Sequence, residues 1–201
     1  MSEVRKVAII TGSSQGLGAS IAVKLSQRNI NLVINYSSNK DMALKIKDEC
    51  VNNGVEAITV QADVSSDDDC KKIVQETINA FGRVDILVNN AGTTKFADHS
   101  KLDKLNDDDF INIYKVNVIG PYQMIRAVEP IMKENGFGSV VNISSIAGKT
   151  GIGSSIAYAA SKGALNTMTL SLAKALGPEI RVNTVCPGFI GTGWFENRFG
   201  K

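Results

Sequence analysis

Six short apolar runs, separated by stretches with helical spacing, constrain the fold of this chain more than any other feature. Each run is rich in β-branched side chains and almost continuously apolar, as expected for strands buried on both faces of a sheet. The runs cover residues 7–10, 32–35, 57–60, 86–88, 140–143 and 182–185, and the helical stretches cover residues 18–28, 41–53, 68–81, 110–134 and 158–176. Alternating strands and helices favour a parallel sheet with right-handed crossovers. The sequence therefore predicts an α/β fold, a doubly wound parallel sheet of the Rossmann type in three α/β/α layers.

The domain organisation follows from what lies between these elements. The chain contains no internal linker, repeat or low-complexity stretch, and its composition of 43% hydrophobic residues suffices for one core. We therefore expect residues 1–201 to form a single domain. Thirteen residues follow Pro187-Gly188. The expectation is that a C-terminal strand and a substrate lid are missing, because the chain is either a fragment or an unusually short version of its class.

Charge and cysteine content exclude several classes of function. With 22 basic and 20 acidic residues, the net charge of +2 gives no reason to expect a nucleic acid or a membrane as partner. Three cysteines without CxxC spacing form neither a disulfide framework nor a zinc site, and the N-terminus lacks the apolar stretch of a signal peptide. These features predict a cytoplasmic protein without a metal. His99, the only histidine, is expected to be solvated.

Acidic triplets occur twice, at residues 67–69 and 107–109. Carboxylates are favoured at the positive end of a helix dipole. Both triplets therefore predict the first turn of a helix.

A glycine-rich segment, TGSSQGLG, follows the first predicted strand directly and contains Gly12, Gly16 and Gly18. Glycines at this place allow a tight turn, close approach of a pyrophosphate and close packing of the next helix, whose first amides would hold the phosphates. The spacing is TGxxxGxG rather than GxGxxG, so a glycine-rich turn without a ligand is the alternative. The position between a strand and a helix favours dinucleotide binding.

The residues at the end of the second predicted strand indicate whether the protein prefers NAD or NADP. A carboxylate roughly 20 residues past the glycines would hold the 2′-hydroxyl of NAD. Residues 35–39 read NYSSN and contain no acid, which favours NADP over NAD. They contain no Arg or Lys either, so Ser14, Ser37 and Ser38 would have to contact the 2′-phosphate. A simple polar turn is the alternative.

Tyr158 and Lys162 form the strongest catalytic pattern. Residues four apart share one helix face, where an ammonium would lower the pKa of a phenol from about 10. Such a phenol can exchange a proton with a carbonyl or alcohol oxygen. Ser145 stands thirteen residues before Tyr158, at the end of an apolar run, and this spacing favours it over Ser144. The pattern predicts the proton-transferring groups of a carbonyl reductase, whose hydride would come from a cofactor. The absence of GxSxG disfavours a hydrolase.

Taken together, these segments resemble the short-chain dehydrogenase/reductase family, of the 3-oxoacyl-[acyl-carrier-protein] reductase type. The resemblance covers residues 7–192 and rests on TGSSQGLG, Asp63-Val64, NNAG at residues 89–92, KVNVIG, NISSIAG, YAASK and PGFIGT, in that order. It implies four catalytic residues, namely Asn117, Ser145, Tyr158 and Lys162. It implies a cofactor site made of Gly12, Ser14, Gln15, Gly16, Leu17, Gly18, Tyr36, Ser37, Ser38, Asp63, Val64, Asn90, Ala91, Gly92, Tyr158, Lys162, Pro187, Gly188, Ile190 and Thr192.

The resemblance also implies roles for these residues. Ser145 would donate a hydrogen bond to the substrate carbonyl, and Tyr158 would protonate that oxygen as hydride arrives from the nicotinamide. Lys162 would hold the nicotinamide ribose, and Asn117 would hold a water in a proton relay. Asp63 would bind the adenine with Val64 beside it, the NNAG segment would support the ribose, and residues 187–192 would line the nicotinamide.

The expected function is therefore reduction of a carbonyl, in a 3-oxoacyl thioester or related ketone, to a secondary alcohol with NADPH. Pro130 and Pro178 stand where carrier-protein-docking arginines are common, Gln15 replaces a common Arg, and the segment after NNAG is longer than usual. These departures weaken the carrier-protein assignment. The alternatives are an NAD-dependent alcohol, sugar or steroid dehydrogenase and a catalytically silent dinucleotide-binding protein. The resemblance further implies a homodimer or homotetramer that packs its helices at residues 110–134 and 158–176.

Overall fold

The computed structural model describes residues 5–191 and contains one parallel sheet with strand order β3-β2-β1-β4-β5-β6. The strands are β1 (Val7–Ile10), β2 (Asn31–Tyr36), β3 (Ala57–Gln61), β4 (Ile86–Asn89), β5 (Gly138–Ile143) and β6 (Ile180–Val185). Strands β2 and β3 lie on one side of β1, and β4, β5 and β6 lie on the other side. The strand order therefore switches between β1 and β4, and doubly wound sheets bind ligands at such a switch point. The predicted strands and the predicted Rossmann-type topology are confirmed.

Helices cover both faces of this sheet. They are α1 (Gly16–Ser26), α2 (Lys40–Asn52), α3 (Asp67–Phe81), α4 (Asp107–Tyr114), α5 (Gly120–Glu134), α6 (Ala147–Thr150) and α7 (Ile156–Leu176), with a 3₁₀ turn at Leu102–Lys104 and a π-helical turn at Lys115–Ile119. On one face α1 and α2 pack on the sheet, and on the other face α3, α5 and α7 do so.

Strand β1 shows why the apolar runs are nearly continuous. Successive strand residues point to opposite faces. Ile9 belongs to the core cluster shared with α3 and α5, whereas Ala8 and Ile10 belong to the cluster shared with α1 and α2, and all three are 0% exposed. Helices on both faces therefore require an apolar residue at every position.

The acidic triplets start helices as predicted. Residues 67–69 form the first turn of α3 behind the cap residue Ser66, and residues 107–109 form the first turn of α4 behind Asn106. The single helix predicted at residues 110–134 begins earlier than expected, and the π-helical turn separates α4 from α5. A π-helical turn widens the helix by one residue and is frequent at functional sites.

The expectation of a missing C-terminal strand and lid falls on residues 192–201, which lie outside the described residues. Within residues 5–191, none of the helices combines the length and apolarity that a membrane crossing requires.

Candidate active site

Tyr158 and Lys162 occupy the first turns of α7. Ser155 caps this helix, because its Oγ accepts a hydrogen bond from the Tyr158 amide at 3.2 Å. The Lys162 Nζ lies 5.7 Å from the centre of the Tyr158 ring. The predicted sharing of one helix face is confirmed.

The two serines at the end of β5 have different partners. Ser145 makes a side-chain hydrogen bond with Tyr158, and its Oγ also accepts the Ala147 amide at 3.1 Å. The buried Ser144 Oγ instead donates to the backbone oxygen of Lys162 at 3.1 Å. Ser145, which the spacing to Tyr158 favoured over Ser144, is therefore the serine that forms a hydrogen bond with the tyrosine.

The electrostatics of the pair differ from the prediction. Burial raises the pKa of Tyr158 above its ordinary value, and the hydrogen bond from Ser145 offsets this only in part. The expected lowering of the pKa of Tyr158 is wrong for the described structure, because burial of the phenol sets the direction of the shift. The Lys162 ammonium donates a hydrogen bond to the Ile143 carbonyl at 2.8 Å. Lys162 is only 3% exposed, and burial lowers its pKa to about 8, an effect that the nearby Cys186 opposes. The lysine, not the phenol, therefore titrates closer to neutral pH.

Asn117 lies in the π-helical turn and is 0% exposed. Its Oδ1 accepts the Thr93 amide at 2.8 Å, and its Nδ2 donates to the Thr93 oxygen at 2.9 Å and to the Ser161 Oγ at 3.0 Å. Ser161 in turn donates to the Tyr158 backbone oxygen at 2.7 Å. Both Nδ2 protons are thus used within the protein, so the side chain joins the segment after NNAG to α7. Sequence reasoning missed Thr93 and Ser161, although the serine inside the Tyr–Lys interval was a usable signal.

The glycine loop has the shape expected of a phosphate cradle. Gly12 and Gly16 have φ values of +60° and +58°, in the left-handed region that glycine tolerates best. A Cβ on Gly18 would lie 2.5 Å from both the Asn90 Nδ2 and the Gly12 oxygen. The residue before α1, Gln15, makes no side-chain cap, so no cap side chain occupies the first amides of that helix. The predicted loop residues 12–18 therefore fit a dinucleotide pyrophosphate.

Asn90 fixes this loop to the end of β4. Its Nδ2 donates to the backbone oxygens of Thr11 and Gly12, each at 3.0 Å, and the Thr11 Oγ1 accepts the amides of Asn90 and Ala91 at 3.0 Å. A Cβ on Gly92 would come within 3.4 Å of the Asn117 Oδ1 and 3.7 Å of the Lys162 Nζ. The NNAG segment thus joins the glycine loop to the catalytic candidates.

The end of β2 only partly matches the predicted ribose site. Ser37 and Ser38 are exposed, whereas Ser14 is 8% exposed and Tyr36 is 5% exposed and packs in the core cluster of α1 and α2. Asn35, the last residue of the second predicted strand and the first of the polar stretch 35–39, lies in β2 and is buried. It accepts the Gly12 amide at 3.0 Å and donates to the Val60 and Ala62 oxygens at 3.3 and 3.0 Å.

The remaining predicted cofactor residues lie at the same carboxyl edge of the sheet. Asp63 is exposed after β3 and accepts the Ser65 amide at 2.9 Å, while Val64 beside it is buried. The Pro187 oxygen accepts the Ile146 amide at 2.9 Å, which brings the segment after β6 beside Ser145. Gly188 is exposed and Ile190 half-buried in this segment. Thr192 lies outside the described residues.

His99 is not simply solvated as predicted. Its Nε2 lies 3.1 Å from the Gly153 oxygen, in the loop before α7. Across residues 5–191 there is no group of three or more histidine, cysteine or acidic side chains placed to hold a metal ion.

These features define a class of protein: a Rossmann-type, dinucleotide-dependent oxidoreductase with a serine, a tyrosine and a lysine at one site. The model of the short chain dehydrogenase family matches residues 6–200. The chain belongs to the short-chain dehydrogenase/reductase family and is an NAD(P)-dependent oxidoreductase.

Named relatives agree with the resemblance to 3-oxoacyl reductases. The chain is 39% identical, over 95% of its length and 75% of the relative, to a ketoacyl reductase of the granaticin polyketide synthase of Streptomyces violaceoruber. It is 35% identical, over 93% of its length and 76% of the relative, to a 3-oxoacyl-[acyl-carrier-protein] reductase of Staphylococcus epidermidis.

Solved structures confirm the fold. A short-chain dehydrogenase/reductase of Burkholderia xenovorans matches with a TM-score of 0.93 and 41% identity, over 98% of this chain and 82% of the other. An NAD⁺-bound xylitol dehydrogenase matches with a TM-score of 0.89 and 30% identity, over 98% of this chain and 75% of the other.

Proposed function

We propose that this protein reduces a carbonyl, in a 3-oxoacyl thioester or a related ketone, to a secondary alcohol with NADPH. The observation that carries the proposal is the hydrogen bond between Ser145 and Tyr158, next to the buried Lys162. A hydroxyl and a phenol in contact can hold the same substrate oxygen, one as a hydrogen-bond donor and one as a proton donor. The ketoacyl and 3-oxoacyl reductases among the relatives support this substrate class.

Ser145, Tyr158 and Lys162 would each perform a different part of the reduction. Bound NADPH supplies the hydride. Ser145 orients the carbonyl oxygen and stabilises the negative charge that develops on it. Tyr158 donates its proton to that oxygen, and as a phenol with a pKa above its ordinary value it is protonated at neutral pH before this step. Lys162 would replenish the proton of Tyr158, since a pKa of about 8 allows the ammonium to release a proton near neutral pH.

The preference for NADPH rests on the end of β2. Ser37 and Ser38 are exposed there, and residues 35–39 contain no carboxylate that would repel a 2′-phosphate. The phosphates would meet the first amides of α1, and the adenine would lie by Asp63. The NAD⁺-bound xylitol dehydrogenase favours a second candidate, NAD-dependent oxidation of a polyol or other secondary alcohol.

Turnover with both cofactors tests the function. The chain is assayed with NADPH or NADH and a 3-oxoacyl thioester, and with NADP⁺ or NAD⁺ and a polyol. Tyr158→Phe is expected to lower kcat by about 10²-fold or more, the usual range for a lost general acid. Tyr122→Phe is the matched control, because this tyrosine is 45% exposed on α5. Full turnover by Tyr158→Phe would contradict the catalytic assignment, and efficient polyol oxidation with NAD⁺ alone would favour the second candidate.

Assembly and location complete the proposal. Exposed apolar side chains on the helices at residues 107–134 and 156–176 include Ile111, Ile119, Ile156 and Leu170. They fit a homodimer or homotetramer packed through these helices, with all 201 residues in one domain and the protein in the cytoplasm. Sedimentation measurements test the oligomer, and a monomer would contradict it.

A further inference from the structure

The segment that follows NNAG, residues 93–99 and here called the connecting segment, is anchored at Thr93 and at Lys95. The backbone of Thr93 makes two hydrogen bonds with Asn117, at 2.8 and 2.9 Å. The Lys95 Nζ lies 2.6 Å from the Asp109 Oδ2 at the start of α4. The connecting segment is therefore held by α4 and by the π-helical turn that carries Asn117.

The connecting segment also holds the loop before α7, residues 151–155. The Thr94 Oγ1 and the Ser154 Oγ are 2.6 Å apart, within hydrogen-bonding distance. The Ala97 amide donates to the Ser154 oxygen at 2.9 Å, and the His99 Nε2 lies 3.1 Å from the Gly153 oxygen. Three hydrogen bonds, between residues 54 to 60 positions apart in the sequence, thus join the two segments.

The loop that is held in this way lies directly against Tyr158. A Cβ on Gly153 would lie 3.4 Å from the Tyr158 Cδ1 and 2.8 Å from the Ala147 Cβ. Ser155, one residue after Ser154, is 0% exposed and accepts the Tyr158 amide as the cap of α7. A shift of Ser154 would therefore move both the cap of α7 and the surface that supports the tyrosine ring.

We propose that Thr94 and Ser154 are positioning residues, whose hydroxyl pair holds the loop before α7 so that Tyr158 keeps its reactive place. The proposal rests on the proposed function of Tyr158. Only the Thr94–Ser154 contact among the three depends on hydroxyl side chains at both ends. It links the Asn117 side of the site to the Tyr158 side, and neither hydroxyl needs to touch substrate.

Thr94→Val tests this with little change of shape, and Thr94→Ser restores the hydroxyl. Thr94→Val is expected to lower kcat about tenfold, since small misplacements of a reacting group cost that much or more. The KM for the cofactor is expected to stay unchanged, and amide hydrogen exchange in a peptide covering residues 151–158 is expected to become faster. Thr94→Ser is expected to match the wild type in all three measurements.

Two further variants sharpen the comparison. Ser154→Ala is expected to reproduce the loss, and the double variant is expected to lose no more than either single variant, because both remove one contact. Thr77→Val is the matched control. Thr77 is a buried threonine on α3 whose hydroxyl donates only to the Ile73 oxygen, at 2.7 Å, among the described contacts.

The outcomes separate the two proposals. If Thr94→Val exchanged faster but kept its kcat, the positioning role would be overturned. A loss of kcat with unchanged exchange would also overturn it, because that result would indicate that Thr94 contacts the substrate directly. Additive losses in the double variant would also overturn it. A wild-type chain without turnover on any carbonyl would overturn the proposed function, whereas the exchange measurement would still test the loop contact by itself.

Discussion

Replacing Lys162 by methionine is expected to make the protein more stable at neutral pH. Burial lowers the pKa of this lysine in the folded protein to about 8 from an ordinary 10.5. Between these two values the unfolded chain binds more protons than the native protein, so the wild type gains stability as the pH rises through this window. Below the folded pKa the penalty of burying the charge is fully present. Methionine has a similar length and carries no charge, so the variant escapes this penalty.

The magnitude follows from the size of the shift. The drop from 10.5 to about 8 amounts to about 3 kcal/mol of unfolding free energy at neutral pH, at about 1.4 kcal/mol per pKa unit. The variant also loses the hydrogen bond to the Ile143 oxygen, which costs about 1–3 kcal/mol at every pH. The pH-dependent part is therefore the cleaner quantity. The unfolding free energy of the variant minus that of the wild type is expected to fall by about 2.5 kcal/mol between about pH 7 and about pH 10.

Urea unfolding followed by circular dichroism at several pH values between about 7 and 10 measures this difference. Lys174→Met is the matched control, because Lys174 is an exposed lysine in the last turn of the same helix. Its difference from the wild type is expected to be independent of pH. A Lys162→Met difference that stays flat across the range would refute the reasoning, since it would mean that Lys162 is solvated in the native protein.

Two further predictions concern the cofactor and the sheet. Ser37→Asp places a carboxylate at the end of β2 and is expected to lower kcat/KM with NADPH about tenfold relative to Ser37→Asn, because like charges near 4 Å cost about 1 kcal/mol or more. If both variants changed kcat/KM equally with NADPH and with NADH, a 2′-phosphate at this place would be contradicted. Asp85→Ala is expected to lower the free energy of unfolding, measured in urea, by about 3 kcal/mol. This carboxylate is 0% exposed and accepts hydrogen bonds from the Val7 amide at 2.8 Å and from the Arg83 guanidinium at 2.6 and 2.8 Å. A loss below about 1 kcal/mol would show that water replaces these contacts.

The fold could be predicted because its signals are local. Two-sided burial leaves continuous apolar runs, and the acidic triplets mark the first turns of α3 and α4. The pairing of Tyr158 with Lys162 needed only the helical period. Each of these signals lies within one element, so the sequence contains it whole.

What could not be predicted depends on contacts between distant segments. Nothing near Asn117 indicates a π-helical turn, whose buried asparagine bonds to Thr93, 24 residues away. Asn35 was placed at the end of the second predicted strand, but its hydrogen bonds could not be predicted because its partners, Gly12 and Ala62 after β3, lie on other segments. The pKa values of the catalytic candidates depend on burial, which the helical spacing of the pair does not contain. The sequence therefore predicted which of these side chains lie close together, but it did not predict their electrostatic state.

Ser144 and Ser145, the two residues directly after β5, have different partners, as the alternation of an extended chain would give them. Successive residues at the end of a strand point in opposite directions. Ser145 therefore meets Tyr158, while Ser144 faces the other way and donates to the Lys162 backbone. Farther along α7, Thr169 accepts a hydrogen bond from Asn142 of β5 at 2.9 Å. The helix is thus fixed to β5 at two levels, in addition to its cap at Ser155. Donors that are held in place before substrate arrives need little reorganisation during the reaction, which is where preorganised electrostatics lowers a barrier.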